Sequence, residues 1–396
     1  MNIRRLTLTC FLSIFALSAN AQIEQVKTIE QRIADRTFPS IFMAWAAADG
    51  LTELTREQNI AKHDLAFAGE HGLQLQWDRP HVGLADGFNP DSINNACAMR
   101  RELQRLNPNQ IVLMEIRYRD AWSGFLPEGH EWWKRDEDGK RVVGWEEGGF
   151  FLLDFSNPDY RAHVAKQAKA ALDTGAVDGV MLDWWDEDDD RLALIQTIRE
   201  AIGEDALILV NANDRKSPMT APYINGYFME CWRSETPKDW QRIAETLRWA
   251  EANLREPRIN CVETWYETSR QDLHRMRATT CMALTLSNGY ALFSDPNDLP
   301  TGDHKHDWYS FWDKRLGRPV ADGAIHAAGW AQREFEHGAA VYNPMGNEKV
   351  EIRFNETRTR LSTGETGTAF FVNGLDGDLF LKRYVAPVMV PLREIR

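Results

Sequence analysis

Val177-Asp178-Gly179-Val180-Met181-Leu182-Asp183-Trp184-Trp185-Asp186 is the stretch that decides the fold reading. Val180, Met181 and Leu182 make a continuous apolar run, as a strand does when both of its faces are buried in a parallel sheet. The run ends in a carboxylate, and barrels of eight βα units keep their chemistry at the C-terminal ends of the strands. Two indoles directly after Asp183 suit a sugar ring stacked over a reacting group.

Working outward, strand-like runs alternate with amphipathic helical stretches, the pattern of a parallel α/β fold. Eight strands are predicted: Ile41–Ala46, Leu73–Trp77, Ile111–Arg117, Val177–Trp184, Ala206–Asn211, Gly226–Cys231, Arg258–Thr264 and Gly289–Ser294. Helices fit between them, among them Tyr160–Thr174, Leu192–Ile202, Pro237–Asn253 and Ser269–Leu286. The fold class expected is α/β, a (β/α)8 TIM barrel with a small C-terminal antiparallel β domain. No glycine fingerprint follows the first strand, so a dinucleotide fold has no positive support. The Trp- and Gly-rich connection from Tyr118 to Asp159 is too long for a plain loop and is expected over the catalytic face. After Ile325, short runs at Val341–Asn343, Val350–Phe354, Thr368–Val372 and Leu379–Leu381 are split by turn signals, with a further edge strand or tail over 385–396. The expected organisation is a signal peptide over 1–21, a catalytic barrel over 22–325 and a β-sandwich-like domain over 326–396.

The leader reading rests on Arg4 and Arg5, an apolar stretch from Leu6 to Leu17 and the small-residue site Ala19-Asn20-Ala21. It predicts a periplasmic or secreted protein. Removing the leader takes the formal charge from −13 to −15, since Arg4 and Arg5 leave with it. Nucleic acid and anionic membrane are therefore poor partners, and a carbohydrate is the expected one. Cys97, Cys231, Cys261 and Cys281 show neither disulfide-framework nor zinc spacing, and buried free thiols are expected. Of 15 tryptophans, Trp122, Trp132, Trp133, Trp145, Trp184, Trp185, Trp232, Trp265, Trp308 and Trp312 fall at predicted strand ends or in loops, where core packing alone explains them poorly.

Side chains alternate along a strand, so residues two apart share a face. Phe228, Glu230 and Trp232 do so, as do Cys261, Glu263 and Trp265, Glu115 and Arg117, Asn211 and Asn213, and Phe293 and Asp295. Glycoside hydrolysis needs two carboxyl groups flanking the scissile bond. Asp183 is the first candidate, as nucleophile. Glu230, held in apolar surroundings that raise a carboxyl pKa, competes with Glu263 for the proton-donor role. Arg117, Trp122, Trp184, Trp185, Asn211, Trp232, Trp265, Asp295 and His304 are the candidate substrate contacts. Each has a plainer reading: a loop acid for Asp183, a buried ion pair for either glutamate, a structural salt bridge for Arg117.

No cofactor or metal is predicted. His304 and His306, with Asp183, Asp186 and Asp295, keep a metal-dependent hydrolase open as an alternative, although the spacing is no defined zinc signature. A carbohydrate-binding protein on a degenerate barrel is a second alternative. Serine-hydrolase, zincin and P-loop motifs are absent.

Three segments carry a resemblance: Leu152-Leu153-Asp154-Phe155-Ser156-Asn157-Pro158-Asp159-Tyr160-Arg161, then Asp178-Gly179-Val180-Met181-Leu182-Asp183, then Arg333-Glu334-Phe335 through Gly338 to Asn343-Pro344. In these the chain resembles TIM-barrel glycoside hydrolases of the hypothetical glycosyl hydrolase families, distantly like the α-amylase and melibiase clans. The resemblance implies that Asp183 is the nucleophilic or stabilising acid. It departs from amylase-like enzymes at Met181, where they carry Arg, and at Asn211, where their acid usually follows strand five. Melibiase-like enzymes commonly place an acid after strand six, near Glu230.

Overall fold

The computed structural model describes residues 27–296 and 304–383, so the leader and the segment 385–396 lie outside it. Eight parallel strands pair in sequence order: β1 (Phe42–Ala44), β2 (Leu65–Ala68), β3 (Ile111–Glu115), β4 (Gly179–Leu182), β5 (Leu207–Asn211), β6 (Gly226–Cys231), β7 (Cys261–Trp265) and β8 (Tyr290–Ser294). A parallel bridge between Ile41 and Ala291, with Ala291 N–H donating to the Ser40 carbonyl at 3.0 Å, brings β8 back to β1 and rounds off the barrel. The helices on its outside are α1 (Ile29–Asp35), α2 (Arg56–Ala61), α3 (Pro90–Leu106), α4 (Pro158–Asp173), α5 (Asp189–Ile202), α6 (Pro237–Asn253) and α7 (Leu273–Leu286). Capping fixes where they begin: Asn157 caps α4 ahead of Pro158, and Thr236 closes a capping box on Asp239 ahead of Pro237.

The opening stretch divides its acids between the two ends of one strand. Asp178, before β4, is buried and accepts from Arg32 at 2.5 and 2.9 Å, from Arg100 at 2.6 Å and from the Val112 amide at 2.9 Å. This closed network ties α1, α3 and β3 together at the N-terminal face, where a barrel invests in stability. Asp183 emerges at the opposite mouth. Gly179 is required between them, because a Cβ there would stand 2.1 Å from the Leu207 carbonyl oxygen.

One predicted strand is misplaced. Barrel position two is Leu65–Ala68, whereas Leu73 closes a 3-10 turn over Glu70–Leu73 and Trp77 makes only a bridge to Phe88. A strand buried on both faces reads as an unbroken apolar run, and Leu65-Ala66-Phe67-Ala68 is one, only four residues long. The alternation of Leu73-Gln74-Leu75-Gln76-Trp77 comes instead from a loop that buries one side.

The long connection after β3 is a folded excursion. Asp120–Trp122 pairs antiparallel with Phe150–Leu152, and isolated bridges join Trp133 to Leu153 and Val143 to Phe151. Past the barrel, β9 (Ala324–Ile325), β10 (Ala331–Phe335), β11 (Gly338–Asn343), β12 (Val350–Arg360), β13 (Thr366–Val372) and β14 (Asp376–Lys382) form one antiparallel sheet in the order β9-β10-β11-β14-β12-β13. Alternation gives that sheet two apolar faces. Ala340, Tyr342 and Leu379 join the barrel core, while Ala339, Val341 and Phe380 close a small core with Ile352, Phe354, Phe370 and Val372. The four described cysteines are free, and Cys231, Cys261 and Cys281 are buried as expected. Among the described residues no helix is long and apolar enough to cross a membrane.

Candidate active site

Parallel strands deliver three side chains to one point at the C-terminal mouth: Asp183 just after β4, Asn211 at the end of β5 and Glu230 near the end of β6. Asn211 Nδ2 donates to Asp183 Oδ1 at 2.8 Å and to Glu230 Oε2 at 2.8 Å. A side-chain amide nitrogen carries two hydrogens, so Asn211 serves both carboxylates at once. The facing oxygens can be no further apart than these contacts laid end to end, about 5.6 Å. Burial pushes Asp183 up to about 6, with the charge of Glu115 adding to the rise and Asn211 and Arg117 opposing it. Burial also pushes Glu230 up to about 7; His304 opposes that rise, while Asp183 and Glu263 add to it.

Glu263 sits differently. It is fully buried, its Oε1 accepts from Ser294 Oγ at 2.6 Å, and both its oxygens lie 2.9 Å from His304 Nδ1. The other ring nitrogen, Nε2, faces Glu230 Oε1 at 3.9 Å. The His304 ring stacks on Trp45 with centroids 4.9 Å apart, and Trp45 Nε1 donates to Glu115 Oε2 at 2.7 Å. Arg117 pairs with Glu115 at 3.2 Å and lies over the Phe150 ring of the excursion. Trp45 is thus part of the site without having been selected from sequence, and Glu115, read there only as sharing a face with Arg117, joins it. Trp45 ends the first apolar run at the mouth, with a left-handed φ of 52°, just as Trp184 follows the fourth with φ 55°. An aromatic residue ending a barrel strand was the available signal.

The remaining candidates separate by exposure. Trp184 and Trp232 are 42% and 47% exposed, each with one face covered by a guanidinium, Arg119 and Arg233 respectively. Trp122 and Trp265 are half-buried, Trp122 edge-on to Phe125. Trp185 is a correction: it is fully buried, its ring nitrogen donates to Thr220 Oγ1 at 3.2 Å, and it packs on Tyr118. Trp133 and Trp312 are likewise core residues. Asp295 is a second correction. Ser294 reaches Glu263, so alternation aims Phe293 and Asp295 elsewhere, and Asp295 is gripped by Arg270 through two 2.5 Å contacts. Arg270 also holds Asp49 and Asp307, which staples the loops after β1, β7 and β8. Asp186 pairs with Arg215, and His306 turns to His63, whose buried imidazole is pushed down to about 3. The residues of the metal-hydrolase alternative are therefore dispersed, and among the described residues no group of three or more potential ligands converges.

Neighbouring tryptophans should then respond in opposite ways. Trp185→Ala is expected to cost about 3–5 kcal/mol in chemical denaturation. Trp184→Ala should change stability by less than about 0.5 kcal/mol while raising KM.

Comparison with known proteins agrees with this architecture. The chain superposes on a noncanonic maltogenic α-amylase from Thermotoga neapolitana with TM-score 0.54 at 10% identity, covering 87% of this chain and 98% of that one. It superposes on an α-amylase from Malbranchea cinnamomea with TM-score 0.51 at 9% identity, covering 90% and 97%. Identities this low show the fold alone. No curated protein matches. Residues 188–339 match the model of hypothetical glycosyl hydrolase family 15, a span that holds Asn211, Glu230, Glu263 and His304 and begins just after Asp183. That match supplies the class and the superpositions the architecture: the chain is a TIM-barrel glycoside hydrolase, similar over that span to hypothetical glycosyl hydrolase family 15.

Proposed function

We propose that the protein is an exported, retaining glycosidase acting on an oligosaccharide, with Asp183 as nucleophile and Glu230 as acid/base. The observation that carries this reading is the shared Asn211 amide, which keeps the facing carboxylate oxygens within about 5.6 Å. A ceiling on the nearest oxygen pair favours the closer spacing of retaining enzymes, whose carboxyl groups stand roughly 5–5.5 Å apart, over the roughly 6.5–9.5 Å that inverting ones leave for a water. In the first step Asp183 attacks the anomeric carbon as the glycosidic C–O bond breaks, and Glu230 passes its proton to the leaving oxygen. In the second, Glu230 takes a proton from water, which displaces Asp183 and releases the sugar. Of two carboxyls pushed apart by their surroundings, the higher one suits the proton donor.

The exposed faces of Trp184 and Trp232 beside the two acids support a sugar as the bound group, and Arg117, paired with Glu115, would read a hydroxyl. Asn211 acts on the acids themselves. Export rests on the leader sequence alone.

The test is hydrolysis of a panel of oligosaccharides and aryl glycosides, with the anomer of the first-formed product followed by NMR. Retention of configuration is expected; inversion would overturn the assignment of Asp183. Asp183 must be ionised and Glu230 protonated, so kcat/KM should rise through about pH 6 and fall above about pH 7. Because the two acids interact through Asn211, these limbs belong to the pair.

A further inference from the structure

The mechanism leaves unused a buried carboxylate and a buried imidazole standing directly behind the acid/base. Glu263 has no route to the substrate: it is fully buried, and its oxygens are occupied by Ser294 Oγ and His304 Nδ1. What it does instead is fix a ring. Both carboxylate oxygens equidistant from Nδ1 hold the imidazole symmetrically, and the Trp45 face holds its plane. Trp45 is in turn held by Glu115 through its indole nitrogen. The consequence of this clamp is that Nε2 points at Glu230 Oε1 from 3.9 Å, on the side away from Asn211.

We propose that Glu263 and His304 are a positioning pair for Glu230, in which Glu263 keeps His304 as an imidazolium and the imidazolium sets when Glu230 gives up and regains its proton. The inference rests on Glu230 being the acid/base. The double use of a glycosidase acid explains the need: Glu230 must be protonated while the leaving oxygen departs and ionised while water attacks. A lone buried carboxyl surrounded by acids would hold its proton too firmly for the second step. Among the described residues, the charges acting on Glu230 are Asp183 across Asn211, Glu263 behind the ring, and His304; the two acids raise its proton affinity and His304 opposes them. Glu115 faces Asp183 from β3 with Arg117 beside it. Hydrogen bonding of Nδ1–H to a carboxylate is the arrangement that favours the charged ring.

Two measurements test this. In His304→Gln, loss of the cation raises the proton affinity of Glu230, so the alkaline limb of kcat/KM should move up by about one pH unit or more. kcat should fall about 10- to 100-fold, while KM stays within about threefold because no substrate contact is removed. An alkaline limb that stays put, or moves down, would overturn the pair. Should His304→Gln fail to fold, nitrogen-15 NMR of the histidine rings in the wild-type protein decides. His304 should show both ring nitrogens protonated at pH 7, and should become neutral in Glu263→Gln; a neutral ring in the wild type would overturn the proposal. If Glu230→Gln retained full activity while the ring was charged, the assignment of Glu230 would fail and the charge state of His304 would stand.

Discussion

Asp183→Asn should lose about a thousandfold or more in kcat while becoming more stable than the wild type. The amide has the shape of the carboxyl and can still accept from Asn211 Nδ2, so the site keeps its geometry and loses only the proposed nucleophile. The stability gain follows from the cost of holding this acid. Asp183 is raised from 3.8 to about 6 in the folded protein. A carboxyl whose folded value lies above its unfolded value penalises the folded state once ionised, and the penalty is complete above the folded value. The shift corresponds to about 2–3 kcal/mol at neutral pH. Thermal melts should therefore show Asp183→Asn above the wild type at pH 8, with the difference shrinking as pH falls through 6 and gone below about 4. Loss of activity with no stability gain at pH 8 would mean that Asp183 is not held in the strained ionised state described here. Such a trade of stability for chemistry is expected of an active-site acid and not of a loop acid.

The barrel was legible because its code is local. Seven of the eight strands in the observed order coincide with apolar runs read from the sequence, and the two-residue spacing placed Glu230 and Glu263 on inward faces. Strand two escaped because its run is four residues long and a stronger alternation lies just beyond it. The site was less legible where two segments carry the same local message. Glu230-Cys231-Trp232 and Glu263-Thr264-Trp265 both end buried strands with an acid two residues before an indole, and nothing within either segment says which acid meets the substrate. The distinction comes from His304, beyond β8, which turns to Glu263 and presents its other nitrogen to Glu230. Trp184 and Trp185 show the same limit at shorter range. A left-handed φ at Trp184 throws one indole outward, and the next sinks against Tyr118. Asn211 was selected as a hydroxyl reader; its place between two carboxylates depends on three strands ending at one level.

Glu230→Gln offers the second large effect, and its signature lies in the substrate. A glutamine can still accept from Asn211 and occupies the same volume, but it has no proton to give. Substrates with poor leaving groups should lose about 100- to 10,000-fold in kcat/KM. Aryl glycosides with acidic phenols, which leave without protonation, should keep most of their first-step rate and stall at the second, because the substituted amide cannot activate water. That predicts a burst of phenol equal to the enzyme present, followed by slow turnover. Azide, an anion that needs no deprotonation, should then restore turnover and give a glycosyl azide of retained configuration. Asp183→Asn should show neither the burst nor the rescue with retention, since it lacks the residue that forms the intermediate. If Glu230→Gln lost activity equally on all leaving groups, with no burst, the proton donor would have to lie elsewhere. Glu263, sealed behind His304 and Ser294, has no path to a glycosidic oxygen, so that outcome would point to a residue outside the trio of Asp183, Asn211 and Glu230.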